Sequence, residues 1–253
     1  MIAPSPVSNT LPLLRTAVGV GTLGVALAVA RHGGEALYAA APGGDTLALP
    51  WASWVWAVAH LFGALAAVPL GYLVLSWAHP RRGLWREAAG NPAAAMQAAA
   101  HALGAVVVAA ASWGGCDGGS LAVSAAFTVL GWLSIALVCA GHRVLTRYRD
   151  HEEIAAGNLA AALAAAGLHL AVALLVGRAL AGQFLGWHAA ITGFAIALLW
   201  VLLLWPLREL VLARVILRMP PADMDAAIGG RRDLWLGAAE ATGYVVTALC
   251  VLW

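Results

Sequence analysis

Long apolar segments separated by short polar ones run along the whole chain. Seven of them have about 20 residues, the length that an α-helix needs to cross roughly 30 Å of hydrocarbon. They are approximately Leu11–Ala30, Trp51–Trp77, Pro92–Trp113, Ser120–Ala140, Asn158–Leu180, Gly186–Leu207 and Leu234–Trp253. The pattern predicts an all-α, polytopic bundle of about seven transmembrane helices.

The composition supports a membrane protein and argues against other classes. Hydrophobic residues make up 62% of the chain and charged residues only 10%, whereas a soluble domain carries about 25% charged residues. Such a chain needs the lipid bilayer around it, and it has no basic tail that would indicate nucleic acid. All 14 basic residues are arginine, which together with the abundant alanine and glycine favours a bacterial source.

No catalytic motif stands out. The three cysteines, Cys116, Cys139 and Cys250, form no CxxC pair, so neither a zinc site nor a disulfide framework is predicted. The chain also lacks HExxH, GxSxG and the phosphate-binding P-loop motif. We therefore expect neither an enzyme nor a bound cofactor or metal, and we assign no catalytic residues.

The arginines predict how the chain crosses the membrane. Most of them follow the second and fourth apolar segments or lie between the sixth and seventh, and in a seven-helix bundle these connections fall on one side. Because arginine is enriched on the cytoplasmic side, we expect a bacterial inner-membrane protein with a cytoplasmic N-terminus and an extracytoplasmic C-terminus. The first segment is interpreted as a retained helix, since no basic region precedes it.

A short polar signature recurs along the chain and suggests an internal repeat. The stretch "REAAGNPAAAMQAAAHALG" begins at Arg86, and "EEIAAGNLAAALAAAGLHL" begins at Glu152. A weaker third copy has Asp233 in the asparagine position, and a half copy has Asn9. We interpret residues 1–253 as one membrane domain, in which 1–50 hold the first helix and an extracytoplasmic loop. Three parallel two-helix units then follow at 51–118, 119–184 and 185–253.

The signature has a local structural explanation. Asparagine or aspartate at the start of a helix accepts hydrogen bonds from backbone N–H groups that have no other partner. Carboxylates near the same point favour the positive end of the helix dipole, and glycine permits the preceding turn. The residues to which we assign this role are Glu87, Gly90, Asn91, Glu153, Gly157, Asn158 and Asp233.

These repeated motifs resemble the bacterial membrane family named domain of unknown function 350. The resemblance rests on Glu87–Ala95 and Glu152–Gly167, with Ala226–Gly243 as a degenerate copy, and extends from about Trp51 onward. The third copy departs from the pattern, because Asp233 replaces asparagine and "GGRRD" is inserted. The resemblance implies a polytopic inner-membrane protein and little about its activity.

Several polar side chains are predicted to lie well inside the membrane. His101 comes ten residues after Asn91, about 15 Å along a helix, and His169 comes eleven after Asn158. Ionisable groups at such depth favour a functional site, although hydrogen bonding between helices is the simpler role and ligation of haem by two histidines a third. We also expect a salt bridge between Arg15 and Glu240, which share a depth. The predicted intramembrane polar cluster is Arg15, His60, Gln97, His101, His169, Glu240 and Tyr244.

Two functions from different classes follow from these features. The first is a channel or transporter-like conduit for a small ion, proton or cationic solute, lined by the polar cluster. The alternative is a membrane scaffold or envelope-stress protein that acts through homo-oligomerisation or a cytoplasmic partner protein. Its docking surface would be the arginine-rich turns and the amphipathic segment 208–232. A hydrolytic or transferase activity ranks behind both.

Overall fold

The structure is a computed structural model that describes residues 51–79, 84–114, 116–117 and 120–252. Within these residues, six helices are long and apolar enough to cross a membrane. This confirms the predicted all-α membrane bundle. The predicted first span, Leu11–Ala30, lies outside the described residues, as do Asn9 and Arg15.

Six long helices alternate with short ones. The α-helices in chain order are α1 (Trp51–Ala78), α2 (Leu84–Glu87), α3 (Pro92–Gly114), α4 (Leu121–Leu145), α5 (Asp150–Ala155), α6 (Leu159–Leu180), α7 (Trp187–Leu202), α8 (Leu204–Pro206), α9 (Pro221–Asp225) and α10 (Leu234–Leu252). The predicted spans agree with these bounds to within a few residues in most cases. The apolar run and the capping residue are both local signals, so a sequence pattern can find them.

The sixth span is longer than predicted. A first π-helix at Leu207–Ile216 continues directly from α8, so the membrane-spanning segment runs from Trp187 to Ile216 over 30 residues. A second π-helix at Ala226–Gly230 follows α9. The prediction ended this span at Leu207 because Arg208 and Glu209 were taken as the start of a polar connection.

Helix α6 forms the centre of the bundle, where α3, α4, α7 and α10 pack against it. Small residues allow this close packing. A Cβ atom added to Gly237 of α10 would collide with the backbone carbonyl of Ala160, and one added to Gly167 of α6 would collide with Ala241. Such contacts let helix backbones approach closely in a membrane, where apolar burial alone does not drive helix association.

A two-residue β-pairing joins the connection that follows α3 to the connection that follows α6. Cys116–Asp117 pairs in parallel with Gly182–Gln183, which ties the end of α3 to the end of α6. Large apolar side chains point outward along the long helices, as expected for surfaces that contact lipid. Leu137 of α4 is 75% exposed, and α7 has only Phe194 and Val201 buried.

Candidate functional site

The capping residues of the three long helices α3, α6 and α10 have the same hydrogen-bond geometry. The side-chain oxygen of Asn91 accepts from the N–H groups two and three residues later, at 2.9 and 3.3 Å. Asn158 does so at 3.0 and 3.2 Å, and Asp233 at 3.0 and 3.3 Å. Each of these helices therefore begins at a fixed reference point from which the depth of later residues can be counted.

The two asparagines also form hydrogen bonds that the sequence interpretation missed. The Asn91 amide donates to the carbonyls of Ile154 and Ala155 at 2.8 and 3.2 Å. The Asn158 amide donates in the same way to Ile228 and Gly229, also at 2.8 and 3.2 Å. A cap alone could equally be Ser, Thr or Asp. The fact that both positions hold asparagine, whose amide can also donate, was therefore the signal in the sequence for a second hydrogen-bond partner.

The turn before each cap varies more than the cap itself. Gly157 has a φ of 79°, and Arg232 occupies the same left-handed region with a φ of 58°. Gly90 also lies in the turn before its cap, but without a positive φ. Glu153 accepts from the Asn158 amide at 3.1 Å and lies 3.7 Å from Arg232, so it also ties two of the turns together.

Other acidic groups and a tyrosine complete this end of the bundle. Glu87 is half-buried and ends α2. Exposed Arg149 donates to Glu152 at 2.8 Å, and this hydrogen bond lowers the pKa of the Glu152 carboxyl. Burial raises the pKa of Tyr148, whose side chain lies against Gly229.

A group of buried and half-buried polar side chains meets between the end of α1, α3, α4 and α6, and we call it the histidine cluster. Its members are Ser76, His79, Gln97, His101, Cys139 and His169. The His101 and His169 rings are 4.7 Å apart between centroids, and the Gln97 amide nitrogen lies 3.1 Å from His101 Nε2. Cys139 Sγ lies 3.7 Å from His169 Nδ1. His101 and His169, which lie ten and eleven residues beyond their caps, therefore meet between α3 and α6.

A second buried group lies between α4, α10 and the first π-helix, and we call it the arginine cluster. Its members are His142, Arg208, Glu209, Asp225, Glu240 and Tyr244. The Arg208 guanidinium donates to Glu240 and to Glu209, both at 2.6 Å, and to Asp225. The Tyr244 hydroxyl donates to Glu240 at 2.9 Å and lies 2.7 Å from His142 Nε2.

The arginine cluster changes two expectations. Glu240 pairs with Arg208 in the described part of the chain, whereas its predicted partner Arg15 lies outside the described residues. Arg208 and Asp225 were counted in the surface segment 208–232, yet they are only 1% and 4% exposed. This segment packs one face against the bundle, because its charged groups find partners there.

The two clusters approach each other along α4. Cys139 belongs to the histidine cluster and His142 to the arginine cluster, and they are one helical turn apart on the same helix. The ring of His60 packs edge-on against Trp113 at 5.7 Å, near the opposite end of α3 from its cap. The structure thus brings together Gln97 with His101 and His169, and Glu240 with Tyr244, and it places His60 against Trp113.

An apolar layer covers the histidine cluster on the side away from the caps. Its members have no exposed surface, and they are Ala105, Val108, Ile135, Val172 and Val176. Beyond this layer Ser112 and Thr128 share a buried 2.7 Å hydrogen bond. The polar groups therefore form one layer across the bundle, separated from the far side by packed aliphatic side chains.

Three buried polar atoms within the clusters have no hydrogen-bond partner: Gln97 Oε1, His169 Nε2 and Glu240 Oε2. An unpaired polar atom in a low-dielectric interior is unfavourable by about 1–3 kcal/mol. His169 packs closely against Gly104, where a Cβ atom would come within 2.8 Å of His169 Nε2. These atoms mark places where a proton, a small cation or water would be stabilised.

The described residues contain no group of three or more His, Cys, Asp or Glu side chains that could hold a metal ion. The arrangement of His101 and His169 does not fit the haem alternative. Their rings contact each other directly, which leaves no room for an iron with one imidazole on each face.

These features define an integral membrane protein with a buried layer of ionisable groups. A family model described as Domain of Unknown Function (DUF350) matches residues 118–253, and the chain belongs to this family. The match confirms the resemblance seen in the sequence, although Asn91, Gln97 and His101 precede the matched region. No curated protein and no solved structure matches the chain.

Proposed function

We propose that this protein moves protons or a small cation across the membrane, and that the structure represents its closed state. The observation that carries the proposal is the charge imbalance around Arg208. One guanidinium contacts three carboxylates, those of Glu209, Asp225 and Glu240. With all four groups ionised, the site has an excess negative charge inside a membrane protein.

An excess negative charge at such a site favours a bound proton or cation. Isolated charges are strongly destabilised in a medium of low dielectric constant, so a buried carboxylate pairs, binds a cation or takes up a proton. Glu240 is 1% exposed, and one of its oxygens is held by Arg208 and Tyr244. Its other oxygen is unpartnered and is the group we assign to the transported proton or cation.

The neighbouring side chains support movement of a proton away from Glu240. A tyrosine hydroxyl and an imidazole can each both donate and accept, so a proton can pass along them. Tyr244 contacts both Glu240 and His142, and His142 is one turn from Cys139, which contacts His169. This order of groups leads from the arginine cluster to the histidine cluster.

The apolar layer supports the closed state. A permeating proton or ion must pass the packed side chains of Val108, Ile135 and Val172, which have no exposed surface. Transport therefore requires α3, α4 and α6 to separate or rotate in that region.

We further propose that the protein lies in the bacterial inner membrane, with its arginine-rich end in the cytoplasm and its C-terminus outside. Alkaline phosphatase fused to the C-terminus should then be active. A fluorescent protein fused there that fluoresces, without phosphatase activity in the first fusion, would contradict this orientation.

Flux measurements in proteoliposomes test the proposal. Vesicles containing a pH-sensitive dye, with a potassium gradient and valinomycin to set the potential, report proton entry. Separate vesicles without valinomycin, containing sodium- or potassium-sensitive dyes, report cation flux down an imposed gradient. We expect Glu240→Gln to reduce the flux at least tenfold. Glu152→Gln is the matched control, because that carboxylate is exposed and lies outside both clusters.

Two results would refute the proposal. One is the absence of proton, sodium or potassium flux above that of empty vesicles at either sign of the potential. The other is a flux that is unchanged by Glu240→Gln, His101→Ala and His169→Ala alike, because the conducting groups would then lie elsewhere.

A further inference from the structure

A surface cavity near the end of the sixth span lies outside both polar clusters. It has a volume of about 410 Å³ and is lined by Arg214, Arg218, Met219, Pro220 and Pro221. None of these lining residues is acidic. Within the described residues, Arg214 and Arg218 form no ion pair or side-chain hydrogen bond, although both are exposed. Two unpaired guanidinium groups around one cavity form a site for an anion.

The position of the cavity indicates the source of that anion. The apolar span ends at Ile216, so Arg214 lies in its last turn and Arg218 just beyond it. Val215 and Ile216 are 68% and 63% exposed, and in a membrane protein such side chains contact lipid tails. A ligand in the cavity would therefore have its charged group at the arginines and its apolar part along this helix.

The backbone fixes the second arginine in place. Arg218 has a φ of 53°, a left-handed conformation that residues other than glycine, asparagine and aspartate seldom adopt. The following N–H, that of Met219, bonds back to the carbonyl of Ala213 at 3.0 Å and closes the end of the π-helix. Pro220 then stiffens the next residue pair. The chain thus turns sharply at Arg218, and the turn places the residues that follow it, Met219 to Pro221, along the wall of the cavity.

We propose that Arg214 and Arg218 bind the phosphate headgroup of an anionic phospholipid. Arginine binds phosphate oxygens through two parallel N–H donors, and basic pockets beside membrane helices bind anionic headgroups. Free inorganic phosphate offers the same charged group but no apolar tail. The exposed side chains of Val215 and Ile216 next to the cavity therefore favour the lipid over the free ion.

Native mass spectrometry of the full chain in detergent tests this site. Phosphatidylglycerol and phosphatidylcholine with identical acyl chains are titrated separately, and the Kd of the first bound lipid is measured. We expect tighter binding of phosphatidylglycerol, weakened about fivefold by Arg214→Gln and about 25-fold when Arg218→Asn is added. Asparagine is used at 218 because it tolerates the left-handed backbone. Arg231→Gln, at an exposed arginine away from the cavity, should leave binding unchanged.

Several outcomes would overturn the assignment. Equal affinity for the two lipids would show that the headgroup charge is not recognised. Unchanged phosphatidylglycerol binding in the double variant, or equal weakening by Arg231→Gln, would mean that the cavity is not the site. Displacement of the lipid by submillimolar inorganic phosphate would identify a soluble anion as the ligand. Far-ultraviolet circular dichroism and a single elution peak establish that each variant is folded.

Discussion

Replacement of Asn158 by aspartate separates the two roles of this capping residue. The side chain is only 1% exposed, accepts from two backbone N–H groups of α6 and donates to the carbonyl of Ile228 at 2.8 Å. Aspartate keeps both accepting bonds because its oxygen has the same geometry. It loses the amide donor and places a carboxylate against carbonyl oxygens and against the Glu153 carboxylate, which the amide contacts at 3.1 Å, so the change acts on the contact between α6 and the second π-helix.

The size of the effect follows from these bonds. Loss of a buried hydrogen bond is unfavourable by about 1 kcal/mol, and leaving buried acceptors unpaired raises the total to about 2 kcal/mol. Asn158→Ala removes the cap as well, which adds about 1 kcal/mol. For a chain of this size each kcal/mol corresponds to roughly 2–4 °C in Tm. Asn158→Asp should therefore melt about 4–8 °C below the natural protein.

The reverse change at the third cap is the matched control. Within the described part of the chain, the Asp233 side chain makes only the two accepting bonds to backbone N–H groups, so Asp233→Asn keeps both and should alter stability by less than about 0.5 kcal/mol. Thermal unfolding in detergent, followed by tryptophan fluorescence, measures all variants. The reasoning is refuted if Asn158→Asp melts with the natural protein, or if Asp233→Asn loses as much stability.

Two further changes test the packing of the clusters and of the central helix. Arg208→Met leaves three carboxylates without their cation and should reduce the free energy of unfolding by about 3–5 kcal/mol in the same melting assay. Adding Glu240→Gln should recover part of this loss. Equal stability of Arg208→Met and the natural protein would contradict the ion-pair geometry. Gly237→Val should reduce the free energy of unfolding by about 1–3 kcal/mol or more, because the valine side chain would collide with the backbone of α6. Gly193→Ala is the control, since the space around Gly193 is open and the change should be neutral or slightly stabilising. A stable Gly237→Val protein would show that the two helices are farther apart than described.

The spans and caps could be predicted because their causes are local in sequence. An apolar run of about 20 residues predicts a crossing helix, and an asparagine before it predicts the first residue. The same counting placed His101 and His169 at equal depth on α3 and α6, where their rings meet. Depth along a helix needs only the rise per residue, so this part required no knowledge of how the helices pack.

The arginine cluster could not be predicted because its partners are distant in sequence. Arg208 is 17 residues from Asp225 and 32 from Glu240, and only packing of the 208–232 segment brings them together. An arginine after an apolar run has the pattern of a cytoplasmic connection, which led to the wrong end for the sixth span. His142 was missed for a related reason, since the predicted fourth span ended at Ala140 while α4 continues to Leu145.

The constancy of the caps explains why depth remained predictable while the connections varied. Asn91 bonds to a carbonyl 63 residues later and Asn158 to one 70 residues later, yet the bond lengths agree. The second π-helix and the left-handed Arg232 accommodate the longer connection before Asp233, so the start of α10 keeps its geometry. Tyr244 consequently lies eleven residues beyond its cap, as His169 does beyond its own, and Glu240 lies seven beyond, close to the six of Gln97. A change of length between successive caps is therefore absorbed outside the polar layer, and the layer itself is held in register by the residues at which the helices begin.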